Sequence, residues 1–393
     1  MRKLILTLIA VFCIIHPSDA QEDQYPEFIF DGYIYDMVSY QKMPDAISAF
    51  GLTEFAGEDD FWMNLTRARF TPELKFSTDS RITMHYEIDA LWTKFALPFF
   101  TGTDKTNRQA IDLSWTPVNE DKVMVRHYID MLYYKHMFDF GEIKFGRQVI
   151  SWGQGRIWQP TDLFNPINPA NFSKIERDGA DAVSFKYYLG LFSDIEFVFN
   201  FRERWDRANF GARYRTNTGE YDISAMGGYF DDKIIIGCDF AGNLWDAGVR
   251  GEAIFAMHKD DIDSNYVRAI LGIDHQITED LYGMLEYQYN GEGTSDKTQY
   301  LQYFQRVLNG EMQNVGKNYI AASANYKFHP LISGTLTSIT NINDGSGFAG
   351  IDLAYNILQN LNLGVGAYYF FGDKLDEYWY YSSAAFITGQ FYF

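Results

Sequence analysis

Cysteine is almost missing from this 393-residue chain, which has two, Cys13 and Cys238. Neither a disulfide framework nor a cysteine-cluster metal site can be built from that supply. Basic residues are scarce as well: 33 Lys and Arg stand against 52 Asp and Glu, a formal net charge of −19. That balance excludes the basic footprint of a nucleic-acid binder. Long apolar runs are absent too. A membrane-crossing helix needs about 20 consecutive apolar residues, and the longest run here, Leu4–Ile15, falls well short. Aromatics are plentiful instead, at 18% of residues, so the chain is not a disordered acidic polymer. Hydrophobic residues make up 47%, yet mean hydropathy is −0.25. Apolar side chains are therefore dispersed among polar ones, as in strands with two different faces.

The N-terminus reads as an address. Arg2 and Lys3 precede the apolar stretch Leu4–Ile15, and small residues at Ser18 and Ala20 mark a cleavage site. Residues 1–20 are expected to be a secretory signal peptide, leaving 21–393 as one exported domain. Phe12 stands just before Cys13, where a lipoprotein signal has a small residue. Cleavage leaves Cys238 as the one cysteine.

From Phe28 onward the chain alternates with period two, the mark of β-strands. Ala68, Phe70, Pro72, Leu74 and Phe76 share one face, while Arg67, Arg69, Thr71, Glu73 and Lys75 share the other. The same pattern recurs at 194–202, 207–215, 281–290 and 361–369. A sandwich would bury the apolar face, whereas a closed barrel would turn it to lipid. Three features favour the barrel: a polar face rich in Arg and Glu, aromatics near segment ends, and connections that alternate in length. Tight links fall at 77–80, 189–193, 216–219, 277–280, 328–331 and 357–360. Longer ones fall at 41–60, 94–107, 152–179, 291–317 and 372–379. Taking 122–136 as one strand, and 108–121 as loop or strand extension, gives an all-β transmembrane antiparallel barrel of about 18 strands, within a range of 16–20. Both termini then share the short-turn rim. Phe391 and Phe393 have lipid-facing parity at the C-terminus and resemble the signal read by the outer-membrane barrel-assembly machinery.

One segment departs from the alternation. Residues 145–179 contain Pro160, Pro166 and Pro169 together with Trp152, Trp158, Leu163, Phe164 and Phe172. Loops of this length in a compact architecture are usually functional or disordered, and this one is too apolar to stay unstructured. It is expected to fold into the lumen as a constriction, with Trp152, Trp158, Asp162, Asn165 and Arg177 as its principal residues. The alternative is a cap over the barrel mouth. Arg147 has the outward parity of Phe145 and Val149, so a bulge at Gly146 is expected to return it to the lumen.

Gly146-Arg147-Gln148, then Trp152-Gly153, then Asp162 and Asn165-Pro166, resembles a group of Gram-negative outer-membrane porin-like proteins. Those proteins share a G-R-Q-x-x-x-W-G strand end followed by an N-P loop, and are distantly similar to alginate-export and substrate-specific porins. The stretch Tyr287–Gly293 also resembles a late strand end of that group. The inserted Gln154-Gly155-Arg156 departs from its pattern. The resemblance implies a channel and names no solute.

Arginines of lumen parity gather on neighbouring strands: Arg67, Arg69, Arg202, Arg204, Arg207, Arg213 and Arg215, with Arg147, Arg156 and Arg177 beside them. Guanidinium groups match carboxylate and phosphate oxygens, so these arginines are candidates for pore lining and anion selectivity. The competing reading is neutralisation by Glu73, Glu87, Asp89, Glu196 and Glu252 in a wall network. Enzyme signatures are missing: there is no G-x-S-x-G elbow, no H-E-x-x-H and no phosphate loop. His85 near Glu87 is the one suggestive pair. The sequence thus points to a passive channel for small solutes, with anions as the candidate class, and with no cofactor and no metal. Its expected partners are outer-membrane lipid and lipopolysaccharide, the assembly machinery and a small solute. A homotrimer stays open. Rival functions are a plugged adhesive barrel, a polysaccharide-export channel and an outer-membrane hydrolase.

Overall fold

Strict alternation leaves each segment with one greasy and one polar face, and side-by-side pairing satisfies its backbone groups. The computed structural model describes residues 25–42, 60–94, 106–165, 176–259, 261–308 and 312–393. Residues 1–20, expected to be a signal peptide, lie outside the described residues, as do Pro166, Pro169 and Phe172.

Nineteen strands form among the described residues. The first eight are β1 (Glu27–Lys42), β2 (Asp60–Lys75), β3 (Ser80–Thr93), β4 (Ser114–Glu120), β5 (Val123–Phe138), β6 (Gly141–Gln148), β7 (Ala180–Tyr188) and β8 (Asp194–Asn200). Next come β9 (Asn209–Thr218), β10 (Tyr221–Phe230), β11 (Lys233–Leu244), β12 (Ala247–His258), β13 (Tyr266–Gln276) and β14 (Leu281–Asn290). A helix, α1 (Tyr300–Leu308), precedes β15 (Asn318–His329), β16 (Ile332–Asn341), β17 (Gly347–Leu358), β18 (Leu361–Phe371) and β19 (Ala384–Tyr392). All pairings are antiparallel, and β19 closes on β1 from Tyr33↔Tyr392 to Gln41↔Ala384.

The wall itself has 18 strands, because β3 pairs directly with β5. Strand β4 folds back on the other edge of β5, with Val118 opposite Val125. The reason is a mismatch in length. Strand β6 pairs with β5 only from Phe138 up to Leu132, so the upper edge of β5 would otherwise expose unpaired backbone groups. This corrects the expectation of loop or strand extension for 108–121: residues 114–120 form a strand of their own, hairpinned to β5, and the wall count is kept because that strand lies outside the β3–β5 pairing. β1 begins and β19 ends on the short-turn rim, and the barrel class expected from the alternation is the one observed. The long-link rim also contains a tight turn at Asp231-Asp232, both at positive φ (48° and 65°).

Outside, aromatic side chains mark two levels. Phe393 packs on Phe30 and Phe70 near the short-turn rim, with ring centroids 6.2 and 6.1 Å away. Near the other rim Tyr40 meets Trp62 at 5.1 Å. The apolar packing that would form the core of a soluble domain lies inside the barrel, around the loop that follows β6.

Candidate functional site

The loop leaves β6 and reaches wall strands far around the barrel. Its apolar residues Ile150, Trp152, Leu163 and Phe164 are buried against Ala182, Val198, Met226, Phe230, Ile254 and Ala256. Trp152 stands edge-on to Phe164 at 5.1 Å, and its indole N–H donates to Glu196 at 2.9 Å. Farther along, Trp158 is fully buried with Ile270, Tyr319, Ile339, Phe348 and Tyr378.

Two wall carboxylates hold the backbone between those tryptophans. Glu252 on β12 accepts the N–H groups of Gln154 and Gly155 at 2.5 and 2.6 Å, and the N–H and hydroxyl of Thr161 at 3.1 and 2.7 Å. Glu286 on β14 accepts the N–H groups of Arg156, Ile157 and Trp158 at 2.8, 3.1 and 2.8 Å. Successive N–H groups turned to one side make an anion-holding concavity, and here the anions belong to the wall. Gly155 permits the approach, since a Cβ there would sit 1.8 Å from the Trp158 carbonyl oxygen. The Gln154-Gly155-Arg156 insertion is therefore the part of the loop that seats on the wall.

The far limb of the loop closes on itself. Asp162 accepts from Arg177 and, at 3.0 Å, from the Asn165 N–H. Asn165 in turn accepts the Ile150 N–H at 2.7 Å and donates to the Asp178 carbonyl. Burial pushes the Asp162 carboxyl up to about 7, against the pull of Arg177. Glu377, in the 372–383 link, is also driven up to about 7 by burial, although it accepts from Tyr319 at 2.6 Å and from Asn341 at 2.8 Å.

The arginines divide into groups. Arg67 and Arg69 form a buried ladder: Arg67 meets Asp89 at 2.8 Å and Glu87 at 3.0 Å. Arg69 meets Glu87 at 2.8 Å, Asp130 at 2.6 Å and also Glu176. Glu87 and Asp89 thus act as the neutralising partners of the competing reading, whereas Glu196 and Glu252 are engaged by the loop. Arg213 lies 3.6 Å from Asp239, and Arg215 lies 2.7 Å from Asp194. At the long-link rim Arg202 shares Asp231 with Arg108, a residue without a role in the sequence reading. Arg204 pairs with Asp206 in the open, and Arg207 is exposed. Arg156 is exposed beside a polar chamber of about 550 Å³ beneath the loop, which Arg250, Asp222 and Asp274 also line.

Arg147 corrects an expectation. No bulge forms at Gly146: it takes φ 122°, but its pairing with β5 and β7 keeps an unbroken register, so Arg147 retains the parity of Phe145. The arginine, however, is 2% exposed and sits within the wall, where β4, β5, β6 and β7 meet. It donates to Asp181 at 2.7 Å, to the Ile129 carbonyl at 3.0 Å and to the Ile111 carbonyl. It fills the seam that the short β6 leaves open and does not line the lumen.

His85, Asp130 and Glu176 converge closely enough to hold a metal ion. The cation among them is the Arg69 guanidinium, 3.0 Å from His85 Nδ1. His85 consequently faces an arginine. Phe391 lies opposite Ile34 on the outer face, and Phe393 exchanges two backbone hydrogen bonds with Gly32 at 3.0 Å.

Sequence reasoning missed a set of lysines. Lys75, Arg81, Lys135 and Lys144 stand directly opposite one another on β2, β3, β5 and β6. Lys186 joins them, and Glu142 lies 2.7, 3.4 and 3.8 Å from Lys135, Lys144 and Lys186. Their parity was legible, but their register was not.

No protein-family description matches this chain, and neither does any curated protein. Solved structures do. Pseudomonas aeruginosa OccK7 (OpdD) aligns over 93% of this chain and 98% of its own, with a TM-score of 0.54 at 9% identity. A variant of OccD1 (OprD) aligns over 92% and 95%, with 0.51 at 9%. A variant of Rhodopseudomonas blastica porin covers 93% of this chain and 100% of its own, with 0.46 at 10%. The first two likenesses establish the fold, a closed antiparallel β-barrel.

Proposed function

We propose that this protein is an outer-membrane channel for the passive passage of small anionic solutes, narrowed by the 152–179 loop. The observation that carries the reading is the row Lys75–Arg81–Lys135–Lys144. Like charges directly opposite on neighbouring strands repel, and folding alone does not call for four in a line. A wall of fixed cations lowers the cost of bringing an anion out of bulk water. The carboxylates beside the row, Glu27, Glu73 and Glu142, lie to its sides and leave its cations adjacent. The seated loop supports the narrowing, since Glu252 and Glu286 hold its backbone against the wall opposite the row. The signal peptide at 1–20 and the aromatic ending at Phe391 and Phe393 fit export and insertion by the assembly machinery, in contact with lipid and lipopolysaccharide.

The test is the reversal potential of refolded protein in a planar bilayer under a potassium chloride gradient. Wild type should give stable steps and an anion-favouring potential. The double variant Lys135→Gln, Lys144→Gln should move that potential toward cations by several millivolts or more. Cation preference in the wild type, or no steps at all, would overturn the reading.

A further inference from the structure

We infer that Lys233, Arg268 and Arg306 form a binding site, at the long-link mouth, for the dianionic phosphate group of a soluble solute, and that Glu292 fills this site until such a ligand displaces it. The inference rests on the channel being a path for anions and names the class of anion. Lys233 opens β11 beside the Asp231-Asp232 turn, and Arg268 is the third residue of β13. Both stand on inward rows: Ile235 and Ile270, two residues on, are 3% and 4% exposed, while the alternate Ile236 and Leu271 are 52% and 62% exposed. The site therefore opens toward the lumen and not toward lipid. Arg306 reaches it from α1.

One carboxylate occupies the centre. Glu292 accepts from Arg268 and, at 2.5 Å, from Arg306, with the Lys233 ammonium 3.5 Å away. Burial works to raise the Glu292 carboxyl, and Arg268, Lys233 and Arg306 overcome it, holding the carboxyl down at about 2. An ion pair such as Arg215 with Asp194 matches charge for charge. Lys233 and Arg268 form no other ion pair among the described residues, so their charges already exceed that of Glu292 before Arg306 is counted. Arg268 Nε is buried and has no acceptor.

That surplus decides the ligand class. A monocarboxylate would replace Glu292 one for one and gain nothing, whereas a phosphate monoester brings close to two charges and three acceptor oxygens. Guanidinium forks match those oxygens in pairs. The cations are also held in place without the carboxylate: the Tyr266 ring centroid lies 5.1 Å from both the Lys233 ammonium and the Arg268 guanidinium. Glu292 instead belongs to the 291–317 link, just past the end of β14 and between Gly291 and Gly293. Its departure therefore leaves a preformed site. Tyr266 packs on the buried cluster of the 152–179 loop as well, so a phosphate held here waits against the narrowing.

The experiment is calorimetric titration of inorganic phosphate at pH 8, where it is mainly the dianion, into full-length protein refolded in mild detergent. Glu292→Gln should bind phosphate at least tenfold tighter than wild type does, and at least tenfold tighter than it binds acetate. Adding Lys233→Gln should remove the gain. Glu292→Asp, which keeps the charge but retreats from the cations, should gain at least threefold, and it serves where heat-shifted gel mobility shows Glu292→Gln unfolded. Lipid A in the same micelles, the same chemical group on a glycolipid, should not compete. A folded Glu292 variant that binds phosphate no tighter than wild type, prefers acetate, or yields its phosphate to lipid A would overturn the inference. Binding is read without current, so failure here leaves the reversal potential standing. A cation-favouring potential beside tight phosphate binding would overturn the channel reading alone.

Discussion

The Glu286 carboxylate on β14 accepts the backbone N–H of Trp158 at 2.8 Å, while the indole of the same residue is buried beside Tyr319. One wall residue thus fixes the loop's backbone where one loop residue fixes its packing. Glu286→Ala would orphan three N–H groups, of which the buried one at Trp158 costs about 1–3 kcal/mol and the part-buried ones at Arg156 and Ile157 less. The variant should release the loop and raise single-channel conductance and current noise. The same variant should expose the loop to protease in intact barrels, which digestion followed by mass spectrometry would read.

The seat of the loop should depend on pH. Asp162 and Glu377 both have folded-state values of about 7, above their ordinary carboxyl values near 4, because burial favours the neutral form. A raised folded pKa means that the stability these groups contribute is complete below about pH 4 and is lost as pH rises through about 7. Current fluctuations should therefore increase between pH 5 and pH 8. Asp162→Asn, which resembles the neutral acid, should flatten part of that rise.

Arg69 and Lys144 should respond oppositely to mutation. Arg69→Gln leaves Asp130 buried without its cation and Glu87 with Arg67 alone, a loss of about 3–5 kcal/mol to be seen as earlier unfolding in urea. Lys144 is a quarter exposed and shares Glu142 with two other lysines, so Lys144→Gln should barely move the unfolding midpoint while changing ion selectivity. If Arg69→Gln shifts selectivity more than Lys144→Gln does, the ladder and not the lysine row dominates the field.

Arg147→Lys should behave as a severe substitution. Lysine cannot reproduce the two-point contact with Asp181 while also reaching two carbonyls. We expect a loss of about 2–4 kcal/mol and slower insertion into vesicles, measured by the heat-shifted gel mobility of folded barrel.

Much of the barrel was legible because strand alternation is a local property. The faces of Arg67, Arg69, Phe70 and Leu74 follow from parity alone, and so do the outward positions of Phe391 and Phe393. The loop after β6 announced itself by tryptophans and prolines where alternation stops. Its anchors did not: Glu252 and Glu286 look like any other lumen carboxylates, and nothing local says that each will collect backbone N–H groups from a segment about a hundred residues or more away. Arg147 was misplaced because the expected bulge at Gly146 does not form, and because above Leu132 the neighbour of β5 is β4 rather than β6, which buries the arginine in that seam.

The sequence by itself determined the strands, their two faces, the closed antiparallel class and the segment that leaves the wall, because each depends on period, turn chemistry and composition within a few residues. Only the tertiary structure decided which charges cancel and which stand side by side. Register across strands set Arg67 and Arg69 against Glu87 and Asp89, and the same register aligned Lys75, Arg81, Lys135 and Lys144. Electrostatic character depends on distances between residues remote in sequence, and those distances exist only after the barrel closes.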